Sequence, residues 1–157
     1  MPNETVRLVP PDEVPTVFDA ARVGLVAYNR RFYPAPERRP VAAAARAADG
    51  TLLGACVGET EWETSGDGWL HVDLLWVADA RRGAGLGSAL LRAVEAEAAR
   101  RGCTRAWLDT LEVQARPFYE RHGYAVFGVQ PDYPPGVGRY FLQKRLAAER
   151  AVNAPAP

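Results

Sequence analysis

The run from His71 to Gly102 constrains the fold most: His-Val-Asp-Leu-Leu-Trp-Val-Ala-Asp-Ala-Arg-Arg-Gly-Ala-Gly-Leu-Gly-Ser, followed by a long Ala/Leu/Glu/Arg segment. It reads as a buried strand, a glycine-rich turn and a helix. Gly83, Gly85 and Gly87 stand at alternate positions where the helix begins. Without Cβ atoms there, successive backbone N–H groups can converge on an anion, and Arg81 and Arg82 add positive charge beside them. Such a turn suits a phosphate.

The flanking sequence sets this unit in a mixed α/β chain. Residues 5–9 alternate polar and apolar and end at Pro10-Pro11, the pattern of a short first strand. A helix capped by Asp12 follows, with Val14, Val17, Phe18, Ala21, Leu25 and Tyr28 on one face and a break expected near Gly24. Residues 30–40 form a loop with three prolines, Phe32 and Tyr33. Asp49-Gly50 joins residues 41–48 and 51–61 as a tight hairpin. Residues 69–77, apolar apart from His71 and Asp73, read as a central strand covered on both faces.

Beyond the helix over residues 88–101, a strand at 104–111 completes a parallel crossover. A short helix over 114–122 and closing strands at 124–129 and 140–144 follow. Residues 1–150 make one domain, and 151–157 a disordered tail.

Nineteen lysines and arginines balance nineteen aspartates and glutamates, which disfavours binding nucleic acid through bulk charge. No apolar run reaches the roughly 20 residues that cross a bilayer, and the N-terminus lacks a signal-peptide pattern. The two cysteines, Cys56 and Cys103, lie in apolar runs without metal-ligand spacing. A cytoplasmic protein with buried thiols and no metal is expected.

Two motifs, Arg82-x-x-Gly85-x-Gly87 at the central helix and Phe118-Tyr119-Glu120-Arg121-His122-Gly123-Tyr124 after the next strand, together with the order of elements, resemble the GNAT superfamily of acyl-CoA-dependent N-acetyltransferases. The resemblance covers nearly the whole chain. It implies a single-domain fold with a mixed, mostly antiparallel sheet, splayed central parallel strands and flanking helices. It also implies that acetyl-CoA donates an acetyl group directly to a primary amine, here of a small-molecule acceptor. Many members of the family pair as homodimers.

By the resemblance, the backbones of Leu75, Trp76 and Val77 contact pantetheine as an added strand would. Arg82, Gly83, Ala84, Gly85, Leu86, Gly87 and Ser88 hold the pyrophosphate, and a backbone N–H near Val77 stabilises the oxyanion. Tyr119 resembles the family's general acid, since a phenol with a pKa of about 10 stays protonated at neutral pH. Glu112 stands where the family often has Asn, and faces either the cofactor or the acceptor.

The acceptor ammonium must also lose a proton. Asp73, on the central strand, is one candidate base, and pairing with His71 is its structural alternative. Glu59 and Glu61 share a face of the preceding strand and come second; Asp109 is a further candidate. Trp62, Trp69 and Trp76, with Tyr28, Phe32, Tyr33 and Tyr133, offer either an aromatic acceptor pocket or core material. Two other functions compete. Gly83-x-Gly85-x-x-Ser88 nearly matches a dinucleotide-binding fingerprint, with Asp109 where a ribose-binding acid would stand, although Ser88 replaces the third glycine. A non-catalytic acyl-CoA sensor would share the fold. A P-loop is excluded because no Gly-Lys-Ser/Thr follows the glycines.

Overall fold

The computed structural model describes residues 6–62, 67–111 and 115–146. The chain divides into two compact units, Met1–Pro36 and Glu37–Pro157. The first carries helix α1 (Val14–Asn29). Its N-cap is Glu13, with no side-chain hydrogen bond, so the expected Asp12 cap is not formed. A backbone turn after the two prolines starts the helix instead: Glu13 N–H donates to the Pro10 carbonyl at 3.0 Å. The helix runs unbroken through Gly24. Residues 6–9 form no strand, because alternation alone does not make one and no strand among the described residues pairs with them.

The second unit is built on strands β1 (Arg39–Arg46), β2 (Leu52–Glu61), β3 (Gly68–Val77), β4 (Cys103–Leu111), β5 (Ala125–Gln130) and β6 (Arg139–Arg145), in the order β1-β2-β3-β4-β6-β5. Helix α2 (Leu86–Arg100) links β3 to β4, and helix α3 (Arg116–Arg121) links β4 to β5. Among the described residues only β3 and β4 pair in parallel. A doubly wound dinucleotide fold needs several parallel strand-helix units, so the oxidoreductase alternative loses its scaffold.

Residues 41–46 of the alanine-rich run lie in β1 because the hairpin supplies a partner strand. The connection is longer than the expected two residues. Ala47 N–H donates to the Thr51 carbonyl at 2.9 Å, and the Asp49 carboxylate accepts from Thr51 N–H at 2.9 Å. Hydrogen bonds from the Thr51 backbone N–H and then from its side chain hold the Asp49 pKa below its ordinary value.

The core lies between α2 and one face of the sheet. Leu90, Leu91, Val94 and Ala98 recur at helical spacing on α2 and are buried, together with Cys56 of β2, Leu70 and Val72 of β3, and Ala106 and Leu108 of β4. Burying each leucine contributes roughly 1.5–3 kcal/mol. Glu95 lies on the same buried stripe of α2 and is matched rather than stranded: it accepts from the Tyr124 hydroxyl at 2.9 Å and from Lys144 Nζ at 2.7 Å. At the far end of α2, Arg101 donates to Glu97 and to the Pro40 carbonyl, tying the helix to β1.

Two irregularities in β3 shape the centre of the sheet. Pairing with β2 runs in step from Glu61↔Trp69 to Gly58↔Val72 and resumes at Val57↔Leu74, which leaves Asp73 as the extra residue of a β-bulge. The bulge reverses which face each side chain takes. Before it, Trp69 and His71 lie opposite the α2 face; after it, Leu74 and Trp76 lie there, half-exposed, while Leu75 and Val77 pack toward the core. A strand covered on both faces was therefore the wrong expectation for 69–77. The second irregularity is that pairing with β4 ends at Val72↔Leu108. Beyond it β3 stays with β2 to Val77 and β4 stays with β6 to Leu111, so the two central strands part company.

Candidate active site

The opening between β3 and β4 leaves one edge of residues 73–77 without a strand partner among the described residues, so backbone groups of Leu75, Trp76 and Val77 face the gap. A linear amide-bearing chain can bond to such an edge as a strand would. The Val77 carbonyl is already engaged, accepting from Arg82 Nε at 3.2 Å.

A 3-10 turn (Asp79–Arg81) carries the chain from β3 into the glycine segment. Gly83 and Gly85 adopt φ of +78° and +82°, where a Cβ is strained, and a Cβ on either would meet no atom within 4 Å. Backbone conformation, with open space beside it, accounts for both glycines. Gly85 is the N-cap of α2 and offers no side-chain cap, so the first-turn N–H groups of Leu86, Gly87 and Ser88 begin the helix. Gly87 lies inside the helix, where a Cβ would make ordinary contact with Val77 and Phe118 at 3.6–3.7 Å. Arg82 Nη2 pairs with Asp79 at 2.8 Å, so its guanidinium is directed to the turn itself. Ala84 completes the segment. These residues fit the diphosphate and pantetheine arm of an acyl-CoA: an unpaired strand edge leads to an uncapped helix N-terminus.

Tyr119 of α3 is buried in the core cluster with Cys56, its ring edge-on to Phe118 and to Tyr124. Burial, then the nearby Cys56 and Asp109, pushes its phenol up to about 12. Burial likewise pushes the Cys56 thiol up to about 12, with Glu95 adding to it. His122 ends α3, its Nδ1 2.8 Å from the Phe118 carbonyl. Glu112 lies outside the described residues.

The carboxylates expected from sequence lie on the other face of the sheet, where Glu59 and Asp73 both adjoin His71. Glu59 is the register partner of His71 across β2 and β3, and His71 is the register partner of Trp107 across β3 and β4. Asp73 Oδ1 lies 3.1 Å from His71 Nδ1, and the Asp73 side chain is half-exposed. The burial expected at Asp73 is not what the structure holds, because the bulge turns it outward, while the pairing with His71 offered as its structural alternative is formed. Glu59 and Glu61 both pair with Arg38, at 2.7 and 3.0 Å. Asp109 pairs with Arg139 at 2.6 Å, and the Arg139 guanidinium also lies against Tyr133 and Phe141.

On this face a cleft of about 460 Å³ is lined by Glu61, Trp62, Trp69, Trp107, Phe127, Phe141 and Gln143. Of the aromatics read from sequence as pocket material, Trp62 and Trp69 line it; Trp76 and Tyr133 do not, and Tyr28, Phe32 and Tyr33 belong to the first unit. Trp107, Phe127 and Phe141 escaped the sequence reading. Trp107 and Phe141 sit at alternating positions of their strands, on the face opposite buried Leu108 and Leu142. That alternation is the signal that could have found them. Among the described residues no cluster of three or more His, Cys, Asp or Glu is placed to hold a metal ion.

Comparison with known proteins agrees with this fold. The model of the acetyltransferase (GNAT) family matches residues 13–124. A blasticidin-S acetyltransferase from Streptomyces morookaense is 42% identical over 135 residues, covering 83% of this chain and 94% of that protein. An acetyltransferase from Agrobacterium fabrum is 36% identical over 127 residues, covering 81% and 89%. The crystal structure of an acetyltransferase from Bacillus cereus superposes with a TM-score of 0.80 at 28% identity, covering 93% of this chain and all of that one. The chain belongs to the GNAT family of acetyltransferases.

Proposed function

We propose that this acetyltransferase moves an acetyl group from acetyl-CoA directly to a primary amine on a small molecule that carries a flat or apolar body. The observation that carries the reading is the gap between β3 and β4 beyond Val72 and Leu108, with the glycine turn at the start of α2 next in the chain; an aromatic cleft lies on the opposite face of the sheet. The unpaired edge at Leu75, Trp76 and Val77 takes the pantetheine amides. The segment Arg82, Gly83, Ala84, Gly85, Leu86, Gly87 and Ser88 takes the pyrophosphate at the helix N-terminus. Bound there, the thioester supplies an activated acyl carbon.

Tyr119 holds a proton at its phenol and gives it to the departing sulfur. The acceptor body packs among Trp62, Trp69, Trp107, Phe127 and Phe141, while Glu61 and Gln143 offer acceptors for its polar groups. The relative that acts on blasticidin S supports a small acceptor. The proton leaving the amine goes to the group around Glu59, His71 and Asp73. With both cysteines buried as free thiols, a reducing, cytoplasmic setting suits the protein.

The test is a panel of amines with purified protein and acetyl-CoA, following thiol release. The panel includes amine-bearing antibiotics, simple alkylamines and lysine peptides. Release that depends on an aromatic-bodied small amine is expected. Release with lysine peptides alone would overturn the small-molecule reading, and no release with any amine would overturn the transfer itself.

A further inference from the structure

His71 is held more closely than a surface histidine needs to be. Its imidazole stacks on the Trp107 indole with ring centroids 3.8 Å apart and planes 5° from parallel. Its Nδ1 lies 3.1 Å from Asp73 Oδ1. A carboxylate accepts only, so neutral His71 carries its hydrogen on Nδ1 and keeps its lone pair on Nε2. No group among the described residues engages Nε2. One ring nitrogen is thus fixed and the other available, the arrangement by which an aspartate orients a histidine base.

The position is as informative as the contacts. His71 and Trp107 form the last register pair but one before β3 and β4 separate, and Asp73 is the bulged residue at the separation. On the same strand face, Trp69 and Trp107 flank His71 and wall the aromatic cleft. Tyr119, by contrast, lies in the core cluster on the α2 side of the sheet. A proton acceptor and a proton donor therefore stand on opposite faces of the sheet beside the gap, so that the amine and the sulfur of one tetrahedral centre can be served by different groups.

We infer that His71 is the general base for the acceptor, with Asp73 as its positioning residue. This rests on the direct-transfer reading above. Nε2 takes one proton from the acceptor ammonium, giving a neutral amine and an imidazolium. Asp73 and the face of Trp107 stabilise that cation. The nitrogen lone pair forms the C–N bond, the C–S bond breaks, and Tyr119 protonates the thiolate. The second proton leaving nitrogen restores the phenol, directly or through water, and His71 returns its proton to solvent. Glu59, opposite His71 and paired with Arg38, adds negative charge beside the imidazolium without being the group that accepts.

The experiment compares His71→Gln and Asp73→Asn with the parent on two acceptors of similar shape. One is an alkylamine, cationic at neutral pH with a pKa of about 10; the other is an alkoxyamine, which is neutral there. His71→Gln is expected to lower kcat on the alkylamine by about 10²-fold or more and on the alkoxyamine by less than about tenfold, with the KM for acetyl-CoA unchanged. Asp73→Asn should show the same selectivity to a smaller degree. Equal losses on both acceptors, or none, would overturn the assignment. Failure of the parent with every amine would count instead against the transfer reading. A second measurement needs no turnover: ¹⁵N NMR of the free protein should show neutral His71 protonated at Nδ1, with the Nε2–H form gaining population in Asp73→Asn. A parent ring protonated mainly at Nε2 would also overturn it.

Discussion

The Cα of Gly58 faces the backbone carbonyl of His71 so closely that a Cβ on residue 58 would overlap its oxygen. Gly58 pairs with Val72, beside the step at which Asp73 bulges out of β3. The bulge and the glycine are one device: the missing side chain lets β3 lean toward β2 while Asp73 turns onto His71. Because the obstacle is backbone, it cannot move aside as a flexible side chain would. Gly58→Ala is expected to cost about 1–3 kcal/mol, the usual range for overpacking, read as a lower urea midpoint. It should also weaken the His71 to Asp73 contact, seen as a shift of the His71 ring ¹⁵N signals. Unaltered stability would mean that the strands separate there at no cost.

The same bulge explains why the face with the aromatic cleft was less legible in the sequence than the glycine turn. The strand, glycine turn and helix from His71 to Gly102 are local features, set by alternation, by φ-permissive glycines and by 3.6-residue periodicity, and α2 follows them. Whether Trp76 shares a face with Trp69 is a parity question, and one inserted residue at Asp73 reverses the answer. The row Glu59, His71, Trp107 depends on register between strands distant in sequence, which no single-strand pattern contains. Residues 6–9 fail as a strand for a related reason, since alternation describes a candidate and pairing makes it real.

Glu95 and Lys144 form a pair in which the carboxylate is buried and the Tyr124 hydroxyl supplies a second donor. Lys144→Met should be costly, about 3–5 kcal/mol, because it leaves a buried charge short of its counter-ion. The double variant Glu95→Leu with Lys144→Met should recover most of that loss, since apolar replacement of a buried pair is often neutral or better. Chemical denaturation of both variants measures the difference. A double variant as weak as the single would show that packing around the lysine stem, not its charge, sustains this corner.

The three glycines of the turn separate by cause. Gly85→Ala places a Cβ at φ +82°, at a cost of about 1–2 kcal/mol, and is expected to lower both melting temperature and CoA affinity. Gly87→Ala has room in the helix and gains roughly 0.5–1 kcal/mol of helix propensity. Its melting temperature should rise. If the backbone at Gly87 approaches the pyrophosphate as proposed, CoA affinity should fall at least tenfold in the same variant by calorimetry. Unchanged affinity would remove Gly87 from the phosphate site while leaving Gly83 and Gly85 in it.

Cys56 is fully buried and its thiol is pushed up to about 12, and Cys103 is nearly as buried. Thiolate is the reactive form, so native protein at pH 8 should release no thionitrobenzoate from Ellman's reagent over the time in which denatured protein releases two equivalents. Rapid reaction of one equivalent in the native state would indicate that β2 opens readily against α2.

Tyr119 provides the most direct link between burial and chemistry. Its folded pKa is raised to about 12 against about 10 when unfolded, so the folded protein holds this proton more tightly. The stability associated with the neutral phenol is complete below pH 10 and is lost as pH rises from 10 toward 12, by roughly 2–3 kcal/mol. Tyr124 and Cys56 are shifted upward as well, so the alkaline loss is shared. Tyr119→Phe should flatten the slope of unfolding free energy against pH by about one proton in that interval. The same variant should lower kcat about 10²-fold or more with CoA affinity nearly unchanged, because in the proposed reaction the lost hydroxyl protonates the departing sulfur. Its activity in the parent should show no alkaline fall traceable to the phenol up to about pH 11, since the acid form persists. Full turnover in Tyr119→Phe would leave the phenol a packing residue and require another donor for the thiolate.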